Sequence, residues 1–412
     1  MAEFKDIRKI LVIKLRHIGD VLLTTPAIRA LKNTFPHACI TALVNLGTED
    51  VLTGNPLIHE IFTLDRSVLN YRGQGSGVRG QENLYSKRFF LNRIRYELSF
   101  VKKIRERHFD MAVDLTGGDR PALYSFLSGA RYRIGYEQAE GFAGKRFLYT
   151  HRFNIDRDRH TVLQNLELLS KTGIQPSAES QRPLAVDFYI SKHDEDWLNN
   201  VLMQRGIKEK DIIVHIHPTS RWFFKCWKDE YMADVIDRVQ KKYGANVFMT
   251  CSPDEREMDK ANRIIELAKN KPIAFIGDIT LKKLGAISKR AKLFFGVDSA
   301  PMHIAAVVGT PVVALFGPSG AFQWGPWDNS YRGQGARGKG QEEPYQERNG
   351  VQTFGRHTVI QRDWECIPCG KDGCDGSKIS DCLEDIGVDE VMAVVGKYLG
   401  GPPIESFGDR SY

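Results

Sequence analysis

Short apolar blocks alternate with charged stretches along most of this chain, at spacings that predict alternating strands and helices. Ile10-Leu11-Val12-Ile13 is a four-residue apolar run and predicts a buried strand. A turn is expected at residues 16–20. Thr25-Pro26 then predicts a helix start, with Thr25 as N-cap and Pro26 at the first helical position. Residues 40–44 and 111–115 predict two more strands, the second ending in Thr116-Gly117-Gly118.

The second half repeats the alternation more cleanly. Strands are predicted at 212–216, 247–250, 273–276, 293–297 and 312–316. Helices are predicted between them at 230–242, 255–269, 281–289 and 302–308, and a last one at 388–399. Residues 175–190 are polar and hold Pro176 and Pro183, so a linker is expected there. The expected architecture is α/β, with two Rossmann-like doubly wound domains over residues 1–185 and 186–412. In such sheets ligands lie at the carboxyl ends of the strands, here in a cleft between the domains.

Two segments break the pattern. Residues 71–88 read YRGQGSGVRGQENLYSKR and residues 331–348 read YRGQGARGKGQEEPYQER. They align without gaps. Their glycine and charge content predicts flexible loops.

The 412 residues carry 42% hydrophobic and 26% charged residues, ordinary values for a chain with two cores. No apolar run reaches the ~18 residues needed to span a bilayer. The first residues lack a secretory signal's uninterrupted apolar stretch and cleavage site. Seven cysteines in a chain this long do not suggest an extracellular disulfide scaffold. A cytoplasmic protein without its own membrane anchor is therefore expected. The net charge is +7, and it is uneven: +9 over residues 1–185 and −2 over the remainder. A basic first half suits an anionic partner, whether phosphate, acidic lipid or nucleic acid; a solvated basic surface is the plainer reading.

Four constellations offer chemistry. Lys14-Leu15-Arg16-His17-Ile18-Gly19-Asp20 joins a strand to a helix and puts Asp20 at a strand end, where a carboxylate can accept a proton from an attacking hydroxyl. Gly19 would allow a tight turn there. Asp20 as a helix cap is the competing reading. His217-Pro218-Thr219-Ser220-Arg221 follows a strand, with Lys225 and Trp227 close behind. Thr219, Ser220 and Lys225 together suit a diphosphate, although a polar loop lidded by Trp222 and Trp227 fits as well. Gly296-Val297-Asp298-Ser299-Ala300-Pro301-Met302-His303 runs from a strand into a helix whose free N–H groups favour phosphate oxygens. Asp298 could hold sugar hydroxyls, and His303 supports the loop from the core side. Finally, Cys366, Cys369, Cys374 and Cys382 are spaced closely enough for a structural zinc site, with a metal-free knuckle as the alternative.

A nicotinamide-dependent oxidoreductase would need a GxGxxG turn after the first strand, and residues 16–20 hold one glycine. No GxxxxGK[ST] phosphate loop follows the strand at 212–216. A basic nucleic-acid-binding protein with a zinc knuckle would use the charge and the repeats but leave the strand-end motifs unexplained.

ILVIKLRHIGDVLLTTPAIRAL, HPTSRWFFKCW and FFGVDSAPMHIAA resemble the three signature segments of the bacterial lipopolysaccharide heptosyltransferases, glycosyltransferase family 9. HPTSRWFFKCW and the WGPW at 324–327 are most similar to the heptosyltransferase III branch, with the I and II branches, or a related sugar transferase of the family, as alternatives. The resemblance implies a GT-B fold and a metal-independent, inverting transfer of heptose from ADP-heptose to the inner core of lipopolysaccharide, at the inner leaflet of the inner membrane. It makes Asp20 the catalytic base and Thr219, Ser220 and Lys225 diphosphate ligands. It gives Asp298 the donor sugar, lets Ser299 and Ala300 continue the phosphate-facing helix start, and puts Glu255 on the ribose, with Glu257 the competing choice. It implies no nucleic-acid partner and no cofactor for catalysis. Ala300 stands where many relatives carry Gly, and the two repeated inserts are foreign to the family pattern.

Overall fold

A computed structural model describes residues 4–68, 82–137, 141–142, 144–176, 182–331 and 343–400; for residues 82–91 it describes the backbone. The chain divides into two units, Met1–Arg157 with Thr161–Pro183, and Asp158–His160 with Leu184–Tyr412.

Among the described residues the first unit holds six strands: β1 Lys9–Lys14, β2 Cys39–Asn45, β3 Glu60–Leu64, β4 Met111–Asp114, β5 Tyr132–Tyr136 and β6 His151–Phe153. Their order is β3-β2-β1-β4-β5-β6, every pair parallel. Strand β1 is buried from Ile10 onward, as its apolar run requires. Phe62, Phe100 and Tyr124 pack together over one face of this sheet.

The second unit holds seven: β7 Ile213–His217, β8 Asn246–Cys251, β9 Ile273–Ile276, β10 Leu293–Val297, β11 Val312–Leu315, β12 Gln352–Phe354 and β13 His357–Ile360. The order is β12-β13-β11-β10-β7-β8-β9. Only β12 is antiparallel to its neighbour. With β12 set aside, both sheets follow the doubly wound order 3-2-1-4-5-6. Each therefore reverses its winding once, between β1 and β4 and between β7 and β10. The GT-B class of paired Rossmann-like units is the one found.

Several local expectations need correction. The helix expected to be capped by Thr25 spans Thr25–Thr34, with Thr24 as N-cap residue. Neither threonine caps it, because their hydroxyls donate back to the carbonyls of Val21 and Leu22. Residues 18–22 form a one-turn helix rather than an open turn, and Gly19 lies inside it without a left-handed φ. The helix expected from residue 302 starts at Ala300, since extended Ser299 precedes it and Pro301 suits a first turn. The linker ends earlier than residue 190: Leu184 and Val186 are buried, and their carbonyls accept from Trp327 and Asn329. Residues 177–181 of that expected linker lie outside the described residues.

The inserts are not loops throughout. Residues 82–88 of the first belong to the helix Glu82–Arg105, while 71–81 lie outside the described residues. In the second, 332–342 lie outside them, yet Tyr331 and Tyr345 at its ends are buried. Both rings pack on Phe354, at 5.3 and 5.6 Å. Two aromatic rings near the ends of a glycine-rich stretch are enough to dock those ends into a core.

Among the described residues no helix is long and apolar enough to cross a membrane.

Candidate active site

In the second unit the chain leaves β7 at His217 and β10 at Val297, adjacent strands in register with Gly296 opposite His217. A side chain on Gly296 would meet the His217 carbonyl at 2.6 Å, so glycine permits this close pairing at the switch point. The two strand-end loops meet there. Lys225 Nζ lies 2.6 Å from Asp298 Oδ2. Burial opposes the charge on Asp298, but the Lys225 ammonium and the Ser319 hydroxyl hold its carboxyl below the usual range.

Lys225 is placed by the loop's own packing. It ends the 3₁₀ turn Phe223–Lys225, and Ser380 Oγ donates to the Phe224 carbonyl at 2.6 Å. Trp227 is buried two residues on, with its indole N–H donating to the Ile386 carbonyl. Trp222 stays exposed, so the two tryptophans do not form a common lid. The segment 380–386 thus braces the loop that presents the lysine.

Thr219 is fully buried, and no described residue hydrogen-bonds its hydroxyl. An orphaned buried hydroxyl is costly unless something else completes it, which suits a ligand oxygen. Ser220 is buried beside it. Ser299 Oγ donates to the Val297 carbonyl, and Ala300 opens the helix Ala300–Val307. His303 is buried in that helix.

Glu255 and Glu257 separate clearly. Asp254 caps the helix Glu255–Leu267 through the Arg256 N–H, which turns Glu255 outward and Glu257 inward. Glu257 is 4% exposed, and no described residue hydrogen-bonds or ion-pairs its carboxylate. Its charge reaches the Cys226 and Cys251 thiols at the ends of the neighbouring segments.

In the first unit Asp20 occupies the first turn of the helix Ile18–Leu22 and is half-buried. No side-chain cap bond is made at that helix start. Its charge reaches Lys14, a buried lysine whose Nζ donates to the Leu115 carbonyl at 2.7 Å. Beside Lys14 lies Asp114, which accepts from Tyr149 Oη at 2.5 Å and from the Thr116 and Gly117 N–H groups. Burial lowers the Lys14 pKa and raises that of Asp114. Sequence reasoning missed this network; the signal was Asp114 two residues before Thr116-Gly117-Gly118 at a strand end.

The cysteines are all free, with Cys366 and Cys369 exposed and Cys382 buried. Burial first, and then the charges of Cys374, Cys369 and Cys366, push the Cys382 thiol up to about 11. Four thiols suit zinc chemically. Among the described residues, however, no three His, Cys, Asp or Glu side chains converge closely enough to hold a metal ion.

Residues 97–351 match the model of glycosyltransferase family 9 (heptosyltransferase). The chain belongs to this family. It is 33% identical over 322 residues to lipopolysaccharide heptosyltransferase 3 of Escherichia coli K12, a match covering 76% of this chain and 83% of that one. The family 9 glycosyl transferase of Veillonella parvula superposes with a TM-score of 0.70 at 21% identity, covering 97% and 99% of the two chains. The E. coli ADP-heptose lipopolysaccharide heptosyltransferase II superposes with a TM-score of 0.66 at 18% identity, covering 95% and 98%. The family match includes the Thr219–Lys225 and Asp298–Ala300 segments; Asp20 lies before it. The nucleic-acid-binding alternative gains nothing from these comparisons.

Proposed function

We propose that this chain transfers heptose from ADP-heptose to a lipid-linked lipopolysaccharide core, in the manner of heptosyltransferase III, with inversion and without a catalytic metal. The observation that carries the reading is the Lys225–Asp298 pair at the β7/β10 switch point, inside the segment that matches the family.

ADP-heptose has two parts to bind, an anionic diphosphate and a hydroxylated sugar. Thr219, Ser220, Lys225 and the N–H groups around Ser299 and Ala300 supply donors for the first. Asp298 supplies acceptor oxygens for the second. Glu257, buried and without a hydrogen-bond partner among the described residues, is a better ribose ligand than exposed Glu255. The acceptor hydroxyl attacks the anomeric carbon while Asp20 takes its proton. The C–O bond to ADP breaks, and the diphosphate leaves with added negative charge. Lys225 and the helix start meet that charge, so they act mostly in the transition state. Lys225 takes the role a divalent cation has in other transferases. The charge of +9 over residues 1–185 would favour a phosphorylated acceptor and the anionic inner leaflet, from the cytoplasmic side.

The test incubates the protein with ADP-heptose and core acceptors truncated at successive sugars, with and without EDTA, and reads product masses. One added heptose on a single acceptor length, unaffected by EDTA, is expected. No product with any acceptor would overturn the reading, and loss of turnover in EDTA would overturn its metal-free part. Should elemental analysis find one zinc per chain, it belongs to the cysteine segment if EDTA lowers the melting temperature rather than turnover. Pelleting with anionic vesicles tests the membrane contact.

A further inference from the structure

The second unit contains a cavity of about 700 Å³ away from the Lys225 loop, within the size range of small-ligand sites. Its walls come from Asp158–His160, Phe322, the segment from Glu343 to Arg348, and Pro368. We propose that this cavity is a subsite for a neutral sugar ring of the acceptor oligosaccharide. The inference rests on the acceptor class proposed above and adds the place where a second sugar is recognised.

Three observations carry it. First, the cavity is built rather than incidental. Arg159 grips Glu343 through two hydrogen bonds, 2.6 and 3.2 Å. His160 Nε2–H donates to the Gly325 carbonyl at 2.9 Å, and its ring lies 4.8 Å from Trp327. Arg348 Nε donates to the Ile367 carbonyl at 3.1 Å, and Tyr345 Oη donates to the Pro326 carbonyl at 2.8 Å.

Second, one wall of the cavity is joined to Asp298 along the chain. Ser319, whose hydroxyl supports Asp298, is three residues from Phe322. The same loop is pinned to the Pro368 side, where the Gly370 N–H donates to the Pro318 carbonyl at 2.9 Å.

Third, the lining chemistry selects the ligand. Among the described lining residues Asp158 and Glu343 match Arg159 and Arg348 in number, so their charges cancel and do not favour a phosphate. A phosphate group only accepts hydrogen bonds from protein, and two carboxylates would oppose it. A sugar hydroxyl both donates and accepts, so it can pair with carboxylate, guanidinium and the Gln346 amide together. Phe322 and the two prolines offer apolar surface to the C–H face of the ring. The wall from Glu343 to Arg348 belongs to the second repeated segment.

The test uses the full chain and a wall residue whose side chain is exposed, so that folding is spared. Gln346→Trp fills the cavity; Glu343→Gln weakens its polar wall. The probe is lipid-free, enzymatically dephosphorylated core oligosaccharide, followed by saturation-transfer NMR, alongside ADP titration and acceptor kinetics. Wild type should bind the oligosaccharide, and Gln346→Trp should lose about tenfold or more in affinity and raise the acceptor KM similarly, with ADP affinity kept within about twofold. Equal binding by wild type and Gln346→Trp, or no binding by wild type, overturns the subsite. Binding only before dephosphorylation overturns its neutral-sugar chemistry. Absence of heptose transfer by wild type defeats the proposed reaction instead, and the binding comparison still decides the subsite.

Discussion

Lys225 and Asp298 lie 73 positions apart in sequence and 2.6 Å apart in space, in the loops that follow two adjacent strands. The lysine side chain is 20% exposed and the carboxylate 8%. Removing one partner therefore leaves a charge with little water to solvate it. Lys225→Ala should lose stability by about 2–4 kcal/mol, below the full cost of breaking a buried pair because some solvent reaches the lysine. Lys225→Met combined with Asp298→Asn should recover most of that loss while transfer stays abolished. Chemical denaturation of wild type, Lys225→Met, Asp298→Asn and the double variant measures the coupling. Additive single effects would mean that the pair does not interact, and that Lys225 serves the donor alone.

Asp20 makes the opposite case, a carboxylate that makes no hydrogen bond or ion pair with a described residue. Asp20→Asn should keep the fold and ADP affinity while lowering turnover by about 10²- to 10⁴-fold, the usual worth of a general base. Turnover within a few-fold of wild type would leave Asp20 as a helix-start residue without a role in the reaction.

The two glutamates of the helix Glu255–Leu267 offer an internal control. Glu257→Gln should weaken ADP binding by about tenfold, since a charged acceptor for a ribose hydroxyl becomes a neutral one. Glu255→Gln, at an exposed position, should leave binding nearly unchanged. The reverse ranking by calorimetry would return the ribose to Glu255.

The limits of sequence reading show in these same residues. Strand 293–297 and helix 388–399 were legible to the residue, one as a continuous apolar run and the other as a periodic face ended by Gly400. Choosing between Glu255 and Glu257 depended on which residue capped the helix, a matter of one hydrogen bond from Arg256 to Asp254. The Lys225–Asp298 contact depended on strand order, which local pattern does not encode. The inserts misled because composition averages over a stretch. Glycine and charge dominate residues 331–348, while Tyr331 and Tyr345 are the aromatic rings that pack its ends.

Acid should destabilise the second unit through its histidines. Burial holds His160 and His217 neutral, pushing both down to about 3. An unfolded histidine takes up its proton near pH ~6.5. Between these values the unfolded state binds more protons than the native one, so stability rises with pH. The contribution is complete above about 6.5 and is lost as pH falls toward 3, by up to about 1.4 kcal/mol per pH unit for each histidine. Asp114 works in the other sense, because burial raises its folded pKa and its stabilisation fades as pH rises. His217→Asn isolates one histidine. It keeps a polar atom near Nδ1 to meet Thr250 Oγ1, 2.8 Å away, and removes the titration. Its melting temperature should fall less steeply than wild type between pH 6.5 and 4.5; parallel curves would show that His217 does not contribute.

The second insert gives the sharpest test of what its ends do. Tyr345 is 3% exposed and packs with Phe354, Phe322 and Trp324 in an apolar cluster that also contains Met302 and Phe316. Gly325 lies flat against its ring, and any side chain there would meet that ring at 2.2 Å. Truncating such a residue removes its contacts and leaves a cavity that the surrounding strands can only partly close. Tyr345→Ala should therefore cost about 3–5 kcal/mol. Tyr345→Phe removes only the hydrogen bond to the Pro326 carbonyl and should cost about 1 kcal/mol. Removing residues 331–348 as a block takes out both buried tyrosines and should lower the melting temperature at least as far as Tyr345→Ala. Removing 332–342 alone keeps both rings in place. Loop length enters closure entropy only logarithmically, so this shorter deletion should cost about 1 kcal/mol or less. Denaturant titrations of the four variants should give that ranking. A shorter deletion as damaging as the full one would mean that residues 332–342, and not the two rings, hold the insert to the domain.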